Sequence, residues 1–271
     1  MVITLTTDWG DDYFAGMVKG VIMRYQPDTV LVDLSHRIPA YNLAQAAFCV
    51  RNAFTFFPEG SIHLVGVGND GSEKNPHVAV LYQGHYFLGT GNGVFDLIFD
   101  TPPEQAFRIS AFDQVEMPTF AALSVLVPAA VHILRGKPLE ALGPVYQMSR
   151  QTNPLLPTYD LSVITGVVVY IDSFGNAVTN ITRALFYQVG RDRDFVIYVQ
   201  SNHYRISEIS HRYSDVESGN LVAVFNASEM LELAVNHGSL AELLGLHLDS
   251  HIRIQFSDPP DPKSGTLFTV F

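Results

Sequence analysis

The chain has 271 residues, 47% hydrophobic and 16% charged, enough to bury a core in one large domain or two modest ones. Its 16 basic and 27 acidic side chains give a net charge of -11, which repels nucleic acid and anionic lipid, since phosphate-backbone affinity rests on Lys and Arg. No apolar stretch is long enough for a bilayer, the acidic start MVITLTTDWGDD has no secretion-signal character, and the single cysteine, Cys49, excludes an internal disulfide; a reducing cytoplasm is the expected setting.

The elements begin with a strand over Val2–Thr6, a polar turn and a helical stretch, YFAGMVKGVIMRYQ. DTVLVDLSH reads as a second strand and NLAQAAFCVRNAFTFF as a helix, with apolar residues three and four apart. SIHLVGVG and HVAVLYQGHYFLGTGNGVFDLIF add three or more strands, and LSVLVPAAVHILRG a helix stopped by Gly136 and Pro138. This alternation predicts an α/β N-terminal domain with a largely parallel sheet, over residues 1–150. SRQTNPLLPTYDLS has no clear period, and residues 151–160 are taken as a linker. VITGVVVYID, DFVIYVQ, NLVAVFN and HIRIQFS then read as short strands, with GSLAELLGL the one convincing helix. Residues 161–271 are therefore expected to form a smaller, mostly β C-terminal domain.

Several motifs invite chemistry. GVGNDG, Gly66 to Gly71, spells G-x-G-x-x-G after a strand, but SEKNP and another strand follow instead of a helix, so a glycine-rich loop is preferred to a dinucleotide site. Asp8 stands at the carboxyl end of the first strand, where open α/β sheets bind ligands, and its carboxylate suits a sugar diol. Asp11 and Asp12 are read as charges at a helix N-terminus. Asp33 and His36 lie three apart with no visible nucleophile, and the ten histidines show no ligand spacing, so no metal site is expected. YIDSFGNAVTNI differs: a turn uses Gly and Asn, whereas an Asp at a strand end suits an ammonium, a Phe stacks on a heteroaromatic ring, and an Asn reads an adenine-like edge. Asp172, Phe174 and Asn176 together suit a zwitterionic nucleoside.

DSFGNAVTNI, with LTTDWGDDYFAGMVKGVI, VDLSHRIPAYNLAQAAF, FFPEGSIHL, GNGVF, HILRGKPLEALG and LELAVNHGSLAELLG, occurs in the order found in the S-adenosylmethionine hydroxide adenosyltransferases (S-adenosylmethionine hydrolases), relatives of the fluorinases and chlorinases. The chain resembles that family nearly end to end. The resemblance implies an α/β N-terminal and a β-rich C-terminal domain, a homotrimer with ligand sites between subunits, and a small-molecule ligand, with no nucleic acid, membrane or cofactor. It assigns the ribose hydroxyls to Asp8, with Tyr41 beside the ribose and Phe120 and Asn92 on the same domain. It places the methionine amino group and the adenine at Asp172 and Asn176, Phe174 beside the base, and the methionine carboxylate at Asn226, Ala227 and Ser228.

The chain also departs from the family pattern. Family hydrolases read Val-Asp-Pro-Gly-Val-Gly after His-Leu, with a catalytic Asp and, seven residues on, an Arg. Here VGVGNDGSEK offers no Asp near Val67 and Gly68, and Lys74 stands where the Arg is expected. The family's His before Gly-Arg-Asp is Ala121, and the halogenases' serine position holds Ala122. The resemblance implies hydrolysis to adenosine and methionine by water attack at ribose C5′, with Asp70 and Lys74 as the nearby groups able to position that water. The alternatives are a non-catalytic binder of the same ligand and, further off, a halogenase.

Overall fold

The computed structural model describes residues 1–112, 119–148 and 156–257. The chain divides into two compact units, Met1–Pro154 and Leu155–Phe271.

The first unit contains β1 (Val2–Thr7), α1 (Phe14–Tyr25), β2 (Val30–Ser35), α2 (Leu43–Ala53), β3 (Ile62–Gly66), β4 (His77–Tyr82), β5 (His85–Thr90), α3 (Val94–Ile98), β6 (Gln105–Arg108) and α4 (Val127–Leu134). A π-helical turn, Ala122–Leu126, leads into α4. The sheet runs β2-β1-β3-β5-β4-β6. Residues alternate between its faces: Ile3, Leu64 and Leu88 join Val18 and Ile22 of α1 and Ala130 of α4, whereas Val65, Val80 and Phe87 join Ala46 and Val50 of α2 and Phe95 of α3. Both faces are thus covered by helices, which explains the near-continuous apolar strands.

Pairing is parallel across β2-β1, β1-β3 and β3-β5, and antiparallel across β5-β4 and β4-β6. The sheet is therefore mixed, with parallel pairs outnumbering antiparallel ones. The cause is local. Gln83 and Gly84 sit at φ 49° and 73°, the left-handed pair that closes a two-residue hairpin and sends β5 back along β4. GVFDLIF, read with the strands, instead forms α3, whose N-terminal Gly93 at φ 98° turns the chain out of the sheet.

The second unit holds β7 (Thr158–Tyr159), β8 (Val163–Ile171), β9 (Ala177–Thr182), α5 (Arg183–Gly190), β10 (Phe195–Val199), β11 (Arg205–Ile206), β12 (Leu221–Phe225), β13 (Met230–Val235), α6 (Leu240–Leu244) and β14 (His251–Phe256). Every strand pair is antiparallel, in the order β11-β10-β14-β8-β9-β13-β12, with β7 beside β8. The sheet curls into a nearly closed barrel, and Ser210 N–H donates to Ala223 O at 2.8 Å across the seam. Of the expected linker, residues 151–155 lie outside the described residues, while Thr158 and Tyr159 pair with β8.

α5 is a second helix where the sequence pattern indicated one. Thr182 ends β9 and caps α5 by accepting from Leu185 N–H, so no Gly or Pro marks the change. The other end is fastened by Arg193, whose guanidinium donates to the carbonyl oxygens of Val189, Gly190, Leu161 and Ser257. α6 has the expected signals, with Ser239 capping Glu242 N–H and Gly245 left-handed at the close. Among the described residues no helix is long and apolar enough to cross a membrane.

A buried histidine pair marks the first unit's core. Thr4 Oγ1 lies 2.8 Å from His63 Nδ1, and His63 Nε2 lies 3.2 Å from His85 Nδ1. Burial drives the His63 pKa down to about 3, with His85 adding to the effect. His63 is thus neutral in the fold but titrates near 6.5 when unfolded, so its contribution is whole above about pH 6.5 and is lost as pH falls towards 3. Between pH 7 and pH 5 the unfolding free energy should drop by about 2 kcal/mol from this group. Denaturant titration at both pH values should show a shallower drop for His63→Gln; equal drops in variant and wild type would contradict the assignment.

Candidate functional site

In the first unit the parallel strands β2, β1, β3 and β5 end on one edge, and the loops beyond them meet at Asp8. Its Oδ2 accepts from Tyr41 N–H at 3.1 Å, in the loop after β2, and from Gly68 N–H at 3.2 Å, after β3. Asn92, after β5, donates through Nδ2 to Gly68 O at 3.0 Å and Val67 O at 3.3 Å, and its Oδ1 accepts from Val94 N–H at the start of α3. Asp8, Tyr41 and Asn92 are therefore brought together around Gly68. A Cβ at Gly68 would touch both Asn92 Nδ2 and Tyr41 Cδ1 at 3.5 Å, and its φ of 53° suits glycine. Tyr41 itself is left-handed at φ 62° and 72% exposed, an aromatic side chain held out at the rim. Among the described residues no group meets Asp8 Oδ1.

Phe120 packs edge-on against Trp9, 5.1 Å between centroids, and lies 5.2 Å from Phe14. Trp9, missed in the sequence, lies over Gly66, where a Cβ would come within 2.7 Å of its ring. Asp70 and Ala121 line a cavity of about 310 Å³ between the loop after β3 and the start of the π-helical turn. Lys74, in the same loop as Asp70, is exposed and is not among that cavity's lining residues. Asp11 pairs with Arg37 at 2.9 Å, and no acid or side-chain cap serves the first turn of α1, which corrects its reading as a helix charge. Asp33 bridges Lys19 and His36, and His36 Nδ1 meets Thr7 Oγ1 at 2.7 Å. That chain braces β1 against β2.

In the second unit the turn between β8 and β9 is built on Asp172. Its Oδ1 accepts from Phe174 N–H at 2.9 Å and Asn176 N–H at 2.8 Å, and its Oδ2 from Asn176 Nδ2 at 3.0 Å. Gly175 is left-handed at φ 78°, and a Cβ there would fall 2.1 Å from Ser239 Oγ. The turn therefore uses its Asp as well as its Asn, although the sequence pattern assigns a turn only Gly and Asn and matches the Asp to an ammonium. Asn176 is buried, whereas Phe174 is 76% exposed, its ring unsupported by the turn.

Asn226 closes the β12–β13 hairpin in a similar way. Its Oδ1 accepts from Ser228 N–H at 3.0 Å and Met230 N–H at 3.2 Å, and its Nδ2 donates to Glu232 Oε2 at 3.0 Å. Glu232, buried on β13, also accepts from Tyr213 OH at 2.5 Å. Burial raises the Tyr213 pKa first, then its bond to Glu232, the Glu232 charge and the Asp172 charge. Asp172, Tyr213, Glu232 and Asn226 thus form one electronegative group. Tyr213 stands in an aperiodic loop and gave no signal, but a Glu in the buried stretch LELAV is the kind of exception that marks a polar network.

Asp172→Ala removes the acceptor of three N–H groups and should cost about 1–3 kcal/mol of stability. Asp172→Asn keeps one acceptor oxygen and should cost less. Melting curves of both variants test this, and an Asp172→Ala variant as stable as the wild type would mean that the carboxylate's bonds to the turn contribute nothing.

Comparison with known proteins identifies the family. The SAM hydroxide adenosyltransferase N-terminal domain matches residues 3–143 and the corresponding C-terminal domain residues 166–253. An (R)-S-adenosyl-L-methionine hydrolase of Thermus thermophilus is 31% identical over 264 residues, spanning 92% of this chain and 97% of that one. A fluorinase of Actinopolyspora mzabensis is 25% identical over 93% of this chain and 96% of its own. The crystal structure of an uncharacterized conserved protein from Thermotoga maritima superposes with a TM-score of 0.85 at 25% identity, covering 94% of this chain and 100% of that chain. With both halves matched in order, the chain belongs to the S-adenosylmethionine hydroxide adenosyltransferase family.

Proposed function

We propose that this protein hydrolyses S-adenosylmethionine to adenosine and methionine by attack of water on ribose C5′. The observation that carries the reading is Asp8. One oxygen is held by two backbone N–H groups at the carboxyl edge of the sheet, and the other has no partner among the described residues. A fixed carboxylate with an open oxygen suits a vicinal diol, and this edge is where open α/β sheets hold ligands. The relatives named (R)-S-adenosyl-L-methionine hydrolase supply the ligand. Tyr41 at the rim suits a place beside the ribose, and Phe120 packs against Trp9, the residue after Asp8.

The second unit supports the same ligand. The electronegative group around Asp172 suits an ammonium, the exposed Phe174 ring a flat base, and Asn176 an adenine edge. Asn226 and Ser228 present the hairpin turn for the methionine carboxylate. We further propose a small-molecule enzyme working as a homotrimer, with sites between subunits as in the family it belongs to.

Chemically the reaction asks little of an acid. The sulfonium leaves as neutral methionine, so the protein has to hold the C5′–S bond in line with a water and keep bulk solvent out. The rival reading, a binder without turnover, draws on Ala121, whose methyl accepts no proton, and on the exposed Lys74. Halide transfer is weaker still, because Ala122 is fully buried and offers no hydroxyl.

Incubation with S-adenosylmethionine in ¹⁸O-water, followed by mass spectrometry, tests the reading. Adenosine carrying the heavy oxygen at C5′, together with unlabelled methionine, is expected. No adenosine at saturating ligand, with the melting temperature raised by the ligand, would favour the binder.

A further inference from the structure

We propose that the cavity between the loop after β3 and the start of the π-helical turn is the water chamber of the reaction, with His77 Nδ1 as the atom that accepts the attacking water's proton. The proposal rests on the hydrolysis put forward above. The cavity, of about 310 Å³, is lined by Asp70, Ser72, His77, Arg108, Ala121 and Ser124 among others. It is ample for ordered water and offers acceptors, a fixed cation and hydroxyls on its walls.

His77 opens β4, and its ring is fixed in two ways. Nε2 lies 3.1 Å from Asn69 O, an acceptor only, so Nε2 carries the proton and Nδ1 of the neutral ring keeps its lone pair. Gly71 lies against the ring's edge, where a Cβ would fall 2.2 Å from Cε1 and 2.6 Å from Nδ1. Only glycine there leaves the imidazole in place. No protein group among the described residues meets Nδ1. An oriented imidazole with a free lone pair, in a polar cavity, is the geometry of a general base.

Two links connect the chamber's wall to the proposed ribose site. The loop that gives Gly68 N–H to Asp8 continues directly into Asp70, Gly71 and Ser72 of the cavity wall. Trp9, next to Asp8, packs against Phe120, next to Ala121. The methyl of Ala121 leaves the room that a larger side chain would fill.

In the reaction the water oxygen bonds to C5′ as the C5′–S bond breaks, and that bond's electron pair goes to sulfur. The water's proton passes to His77 Nδ1 and then to solvent, leaving adenosine and neutral methionine. Asp70 and Arg108 are the charged residues that line the same cavity with His77.

The test compares the full chain with His77→Gln and with Ala121→Leu, which fills the chamber and leaves His77 unchanged. Melting curves first establish that both variants fold. Each should lower kcat by about 10²-fold or more while calorimetric affinity for S-adenosylmethionine stays within about threefold. A separate arm needs no turnover: the ¹³C–¹H imidazole cross-peak of His77, assigned by its loss in His77→Gln, should move when S-adenosylmethionine is added. A moving cross-peak in a wild type that forms no adenosine would retain the chamber beside the ligand and remove the hydrolysis reading alone. An active His77→Gln, or a cross-peak that ignores saturating ligand, would overturn the proposal.

Discussion

One carboxylate oxygen, Asp8 Oδ2, ties together the loops on which the N-terminal site depends. It sits at the end of β1, in the interior of the sheet, and accepts from the backbone of the loops after β2 and β3. Both donors are in the left-handed region, Tyr41 at φ 62° and Gly68 at φ 53°. For a tyrosine that conformation costs on the order of 1–2 kcal/mol, comparable to the roughly 1.5–3 kcal/mol of a hydrogen bond to a charged acceptor. The clasp therefore offsets the strain it requires. Asn92 completes it by holding the carbonyls of Val67 and Gly68, so both sides of the glycine's backbone are secured.

The second unit solves the same problem with a different kind of turn. Asp172 and Asn226 each bond to backbone N–H groups two and four residues ahead, in the manner of an Asx turn. Because Asp172 is a full charge and Glu232 is buried nearby, the tightening also concentrates negative potential around Tyr213. Such a region favours a cation over a neutral ligand. Phe174, on the same turn, is exposed.

Much of this was legible in the sequence, and the remainder failed for identifiable reasons. Asp8 could be singled out because it stands at the carboxyl end of the first strand, where open α/β sheets bind ligands. The hairpin of β4 and β5 was obscured because Gln83 is not a residue associated with left-handed turns, so QG carried less weight than NG would. α5 was hidden because Thr182 serves both as the last residue of β9 and as the helix cap. The function of Asp172 in its own turn was misjudged because local side-chain bonding and ligand binding use the same residue types. His77 had no motif at all. Its significance comes from Gly71 and Asn69, which meet it only after the loop folds back onto β4.

The central claim is that Asp8 Oδ1 is the open acceptor for a ribose diol, and calorimetry with adenosine and 2′,3′-dideoxyadenosine tests it directly. Loss of the diol should weaken binding to the wild type by about 10–100-fold, as expected for hydrogen bonds to a charged group. In Asp8→Asn, which keeps a side-chain oxygen for the backbone clasp, the same change of ligand should cost little. An equal loss in wild type and variant would contradict the account and place the diol elsewhere.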